Sequence, residues 1–211
     1  MKIFKNFLLT ALISCCIFNP AYADFLETEP DWALSFTTGY NQYQNTYQNE
    51  GHSAIGRLSL EKYLLDLDYM KLGLEFGVQN GNNMRLDIPK SMLDSLGGLP
   101  VGIEVKPSLD LLLDAKIPFD IESTLYFFAK GGVAYRRAQI DRITVNSMTK
   151  YSPELQVGLG YQVNDFLGLN LGYQRIFGGN PNFTVNEVAE TGHINNIPTQ
   201  QGVLLGISVL F

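Results

Sequence analysis

The chain has 211 residues, 45% of them hydrophobic, with 15 basic against 21 acidic side chains and a formal net charge of −6. That balance argues against nucleic acid as a partner, because neutralising phosphates needs a basic surface. The length fits one domain, and no stretch beyond the N-terminal region offers the roughly 18 consecutive apolar residues of a transmembrane helix.

The opening "MKIFKNFLLTALISCCIFNPAYAD" sets Lys2 and Lys5 before an apolar run from Phe7 to Phe18, closing on Ala21-Tyr22-Ala23. A charged start, a short apolar core and a small-x-small end describe a secretory signal. Residues 1–23 are therefore expected to be cleaved, leaving 24–211 as the mature domain. Leu12-Ile13-Ser14-Cys15 offers a competing lipobox with Cys15 as lipidation site, though it leaves Cys16-Ile17-Phe18 beyond the cut. Cleavage after Ala23 removes both cysteines, so no disulfide framework is expected.

From Trp32 onward, apolar and polar side chains alternate with period two over segments of about ten residues, the mark of strands with one apolar face. The first segment sets Trp32, Leu34, Phe36 and Tyr40 against Ala33, Ser35, Thr37 and Asn41. The second, weaker, has Leu58 and Leu60 against Arg57, Ser59 and Glu61. In the third, Met70, Leu72, Leu74, Phe76 and Val78 alternate with Lys71, Gly73, Glu75, Gly77 and Gln79. The fourth is read as one continuous strand, with Ile103, Val105, Leu109, Leu111 and Leu113 opposite Glu104, Lys106, Asp110 and Asp114. The fifth carries Leu125, Phe127, Val133 and Tyr135 against Phe128, Lys130 and Arg136. The sixth sets Leu155, Val157, Leu159 and Tyr161 against Glu154, Gln156, Gly158 and Gly160, and the seventh Leu167, Leu169, Leu171 and Tyr173 against glycine, Asn170 and Gln174. The eighth closes the chain with Val203, Leu205, Ile207, Val209 and Phe211 on its apolar face.

The links also alternate. Those near Leu64–Tyr69, Ala115–Ser123 and Asn164–Asp165 are short, whereas Asn80–Pro100 and Gly178–Thr199 are long. Short turns at one end and long loops at the other describe an up-and-down barrel in an outer membrane. The apolar face carries Tyr40, Tyr135, Tyr151 and Tyr173 toward the long loops, and Trp32, Tyr161 and Phe211 toward the short turns. Those positions suit two interfacial girdles. The expected fold is an all-β, eight-stranded antiparallel transmembrane barrel, whose first and last strands must meet because an open edge cannot sit in lipid.

The terminal Phe211 with its register of apolar residues resembles the C-terminal signature of Gram-negative outer-membrane barrels. "AKGGVAYRR" and "SPELQVGLGYQVNDFLGLNLGYQRIFG" are similar to the closing half of small OmpA/OmpX-like barrel domains. The resemblance implies an outer-membrane location and recognition of Val203, Leu205, Ile207, Val209 and Phe211 by the barrel-assembly machinery. It departs from OmpA itself, which continues into a periplasmic domain. The chain is expected to act as a monomer without a cofactor.

On the polar face, Arg57, Lys71, Lys106, Lys130 and Arg136 meet Glu61, Glu75, Glu104, Asp110, Asp114 and Glu154. These are expected to form a network of paired charges in a narrow lumen, plugging it. The alternative is a gated, porin-like channel for small or hydrophobic solutes. A lipid A-modifying enzyme is the third reading, but both histidines, His52 and His193, fall in long loops, and the cluster Glu50, His52, Ser53 lacks a rigid frame. Neither a catalytic nor a metal site is expected: cysteine is absent from the mature region, and no paired-histidine spacing occurs.

"YNQYQNTYQNEG" has the Tyr- and Asn-rich composition of recognition loops. The second loop is apolar instead, with Met84, Leu86, Ile88, Met92, Leu93, Leu96 and Leu99, and is expected either to cover the barrel mouth or to bind a partner. Non-enzymatic envelope integrity and surface recognition or adhesion, with an extracellular ligand at the loops, is the expected function. Finally, Arg137 and Arg175 continue the lipid-facing phase just past Tyr135 and Tyr173, and are expected either to contact lipopolysaccharide phosphates or, where the strands have already left the membrane, to be ordinary loop residues.

Overall fold

The computed structural model describes residues 31–47, 50–67, 69–87, 90, 94, 101–120, 123–140, 146–181, 183–186 and 191–211. The expected signal and the start of the mature domain lie outside them, as do Ile88, Met92, Leu93, Leu96 and Leu99. In chain order the described strands are β1 (Trp32–Tyr43), β2 (His52–Leu67), β3 (Met70–Gln79), β4 (Asn82–Arg85), β5 (Gly102–Val105) and β6 (Ser108–Pro118). They continue as β7 (Leu125–Ile140), β8 (Met148–Asn164), β9 (Leu167–Ile176), β10 (Phe183–Asn186), β11 (Thr191–Ile194) and β12 (Gln200–Leu210).

Eight of these, β1, β2, β3, β6, β7, β8, β9 and β12, form a closed antiparallel barrel in which each strand pairs with its neighbours in the chain. Closure comes from β12 lying against β1, with Leu34 opposite Val209 and Tyr40 opposite Val203. The seam is finished by two backbone bonds: Trp32 N–H donates to Phe211 O at 3.0 Å, and Phe211 N–H donates to Trp32 O at 2.9 Å. The expected eight-stranded up-and-down barrel is what the chain forms.

Alternation becomes two environments once the sheet closes. Leu34, Phe36 and Tyr40 of β1 point outward and are exposed, whereas Ala33, Ser35, Thr37 and Asn41 are buried in the lumen. The outward faces of all eight strands carry exposed Leu, Val, Ile, Phe and Tyr. An apolar belt that surrounds the whole barrel far exceeds the patch a water-soluble monomer exposes, so the medium on this side is lipid. The aromatic side chains expected at the two ends all stand outward, with Tyr151 74% exposed toward the long loops and Phe211 61% toward the short turns. Inside, the glycines make room. A Cβ added to Gly158 or Gly172 would stand 2.6 or 2.8 Å from Phe128 Cζ, so these two positions hold a ring within an eight-strand circumference.

One expectation fails in an informative way. The fourth segment is not continuous: it breaks at Lys106-Pro107 into β5 and β6. Leu109 of β6 faces Tyr135 of β7, but Val105 of β5 faces Ala138, so four residues on one side correspond to three on the other. One extra residue inverts the face. Ile103 and Val105, expected toward lipid, are therefore buried, and Glu104 and Lys106 turn outward.

Beyond the break, β5 pairs with β4 and extends the β7 edge above the barrel. Its buried side chains join Tyr43, Met84, Leu86, Val101, Ala138, Ile140, Ile194 and Ile197 in a second apolar core at the long-loop end. The loop after β1 is strapped to this unit: Tyr47 N–H donates to Arg85 O at 2.9 Å, and Arg85 Nε lies 2.7 Å from Glu50 Oε1. That hydrogen bond from the Arg85 side chain holds the Glu50 carboxyl below its ordinary value. Met84 and Leu86, the described part of the apolar loop, thus cover the mouth.

Side-chain orientation is directly testable. Leu74, outward at mid-span of β3, should cost roughly 2–4 kcal/mol on replacement by Arg, whereas Gln42→Arg at the outer rim should cost about 0–1 kcal/mol. Urea titration of the refolded barrel in lipid vesicles measures both.

Candidate functional site

The lumen is built from the inward positions of β2, β3, β6 and β7, whose shared phase brings Arg57, Glu61, Glu75, Asp110, Asp114 and Lys130 into one buried cluster. Arg57 Nη2 donates to Glu75 Oε1 at 2.7 Å, and Arg57 Nε donates to Asp110 Oδ2 at 3.1 Å. Lys130 Nζ donates to the other oxygen of Glu75 at 2.6 Å and lies 3.8 Å from Glu61 and 3.6 Å from Asp114. Ser59 Oγ completes the Glu75 carboxylate with a 3.1 Å bond. Glu75 is thus the hub, shared by two cations on two other strands.

A further cation, Lys116, joins the cluster from β6, with Nζ 3.0 Å from Glu61 and 3.6 Å from Asp114, and it also donates to the Tyr63 hydroxyl. It was missed because the short turn was expected to begin at Ala115, whereas β6 runs to Pro118. The signal was present in the sequence: Lys116 keeps the even-numbered phase of Asp110 and Asp114. Two other expected members are inside but apart. Glu154 accepts bonds from Gln156 at 2.7 Å and Gln174 at 2.6 Å, and Gln174 also donates to Gln79 at 2.9 Å. Arg136, fully buried at the upper end, donates from Nη1 to Pro198 O at 3.0 Å, with its guanidinium 5.7 Å from the Tyr43 ring centre.

Three expected members lie elsewhere. Lys71 sits at the short-turn rim, 2.6 Å from Asp66, with both side chains more than two-fifths exposed. Glu104 and Lys106 pair with each other on the outer wall, a consequence of the one-residue slip at Pro107. The tempting loop cluster is not assembled either. His52 stacks on Tyr40 at 5.5 Å, Ser53 donates to Asn41 at 2.6 Å, and Glu50 is held by Arg85. His193 lies opposite Thr184 in the separate β10–β11 hairpin.

The room left inside is small. A space beside the cluster, lined by Arg57, Glu61, Glu75, Lys116, Lys130 and neighbouring hydroxyls, is about 20 Å³, enough for about one water. Buried ions are costly to desolvate and stable only when well paired. Here the pairs cross-link four strands through the lumen.

At the outer rim, Arg137 is exposed between buried Arg136 and Ala138. Arg175 is half-buried, its guanidinium 5.2 Å from the Phe177 ring centre. On β12, Val203, Leu205, Ile207 and Val209 all face outward, in line with Phe211.

Removing the hub leaves two buried cations without their principal partner. Glu75→Ala should therefore destabilise the barrel by roughly 3–5 kcal/mol, read as a lowered urea midpoint, while Lys71→Ala at the exposed rim should change it little.

An outward apolar belt, two aromatic girdles, a closed eight-strand sheet and a polar, charge-paired interior define the class: this is a small outer-membrane β-barrel. Solved structures agree with that fold. The barrel is similar to neisserial surface protein A, with a TM-score of 0.52 and 12% identity, covering 86% of this chain and 97% of that one. It is similar to OprG of Pseudomonas aeruginosa, with a TM-score of 0.54 and 12% identity over 87% and 97% of the two chains. Ail, the attachment invasion locus protein of Yersinia pestis, solved with the heparin analogue sucrose octasulfate, gives a TM-score of 0.51 and 8% identity over 87% and 100%. No protein-family model matches the sequence, and no curated protein does.

Proposed function

We propose that this protein is a non-enzymatic, non-conducting barrel that contributes to envelope integrity and presents a folded outer unit for surface recognition. The observation that carries the reading is the occupied lumen, in which Glu75 is shared by Arg57 and Lys130 and the adjoining space is about 20 Å³. A solute path through it needs those pairs broken, and the apolar core over the mouth stands in series with them. That same core supports recognition. It ties the end of β1, the β4–β5 pair and the segment before β12 into one body, so a ligand would meet a surface with little ordering cost. In planar bilayers the refolded wild type should show no steady conductance. A stable open level at neutral pH would replace this reading with the narrow channel.

We infer further that the outward row on β12 is what the barrel-assembly machinery reads. Its support is the exposed register ending in Phe211, whose backbone closes onto Trp32. Phe211→Ser should leave export intact and greatly reduce the heat-modifiable, protease-protected form in membrane fractions. Unchanged insertion would remove β12 from that role.

A further inference from the structure

We propose that Lys106 and Arg137 form a two-cation site for a lipid phosphate on the outer wall of the barrel, occupied by a phosphorylated glycolipid of the outer leaflet, lipopolysaccharide. The inference rests on the membrane placement and is independent of whether the lumen conducts.

The site exists because of the slip at Pro107. Had β5 and β6 been continuous, Lys106 would point into the lumen with Asp110. Instead its backbone N–H donates to Arg137 O at 2.8 Å, which sets the two residues directly opposite each other on neighbouring strands. Both side chains are on the outward face, since Val105 and Ala138, next along each strand, are buried in the apolar core. Directly opposed residues on one face stand about 5 Å apart, so one anion can touch both. Arg137 has no ion-pair partner among the described residues.

The position selects the ligand. Two residues toward the membrane along β7 lies Tyr135, whose ring meets Tyr151 at 5.4 Å in the outer girdle. The cations therefore sit one step beyond the aromatic belt, at headgroup depth. A guanidinium fork beside an ammonium is matched to phosphate oxygens. Arg175 is built differently: its guanidinium lies over Phe177, its Nε is buried without a partner, and its register neighbours are the uncharged Leu155 and Gln201.

Glu104 gives the site an internal competitor. It pairs with Lys106 and lies opposite Gln139, two residues farther from the membrane on the same face. A phosphate arriving from the membrane side competes with that carboxylate for the ammonium, so removing the carboxylate should tighten binding rather than weaken it.

The test is the thermal stability of the refolded full barrel in vesicles titrated with lipopolysaccharide, dephosphorylated lipopolysaccharide or inorganic phosphate. Lys106→Gln/Arg137→Gln should weaken the apparent lipopolysaccharide affinity by about tenfold or more. Glu104→Gln should strengthen it, and Arg175→Gln should change it little. Dephosphorylated lipid should act alike on wild type and the double variant. The single variants Lys106→Gln and Arg137→Gln carry the test if the double variant does not refold, as judged by heat-modifiable migration. Equal lipopolysaccharide responses of wild type and variants would overturn the site. An inorganic phosphate response as large as that to lipopolysaccharide would overturn the lipid as its source. Failure of the wild type to float with vesicles would overturn the membrane placement itself, a result separate from any conductance record.

Discussion

Hydrocarbon offers no hydrogen bond, so every backbone N–H and C=O within it must be satisfied by the protein. Everything else in this molecule follows from that demand. A sheet meets it only by closing, and here closure falls to β1 and β12, joined from Ala33–Leu210 to Tyr43–Gln200 and locked at Trp32 and Phe211. The outward side chains are then free to be as apolar as the membrane requires. The inward ones inherit the narrow space enclosed by eight strands.

Eight strands make that space narrow, and narrowness decides what the interior can be. Large side chains fit only against glycine, as Phe128 does over Gly158 and Gly172. Charges fit only where ion pairs or hydrogen bonds offset a desolvation cost of several kcal/mol per ion. The cluster around Glu75 is therefore a structural cross-brace: Arg57 reaches it from β2 and Lys130 from β7, strands that are not neighbours in the sheet. In the function we propose, envelope integrity and resistance to conduction are two consequences of one packing solution.

Outside the bilayer the constraint relaxes, and the structure changes character at Pro107. Proline has no N–H to give a ladder, and such residues sit at strand starts and bulges. The slip there ends the barrel phase, turns Ile103 and Val105 into an aqueous-side core, and releases Glu104 and Lys106 to the outer wall. A single irregularity thus creates both the cover of the mouth and a cationic pair at the membrane edge.

The sequence by itself determined the barrel. Period-two alternation is a local property, and repeated over eight segments with short and long links in turn it leaves little choice of fold. It also determined most of the lumen cluster, since Arg57, Glu61, Glu75, Asp110, Asp114 and Lys130 each share a phase with small or polar neighbours on their own strand. Only the tertiary structure decided the rest. Alternation fixes which residues share a face within an unbroken strand, but not where a strand slips against its partner, and one inserted residue reverses every assignment beyond it. Lys106 and Glu104 were misplaced for that reason. Lys116 was overlooked because the end of a strand is set by its pairing with β3 and β7, and Lys71 overreached because its hairpin outruns the lumen. Which cation meets which carboxylate depends on register between strands distant in sequence, information no single strand carries.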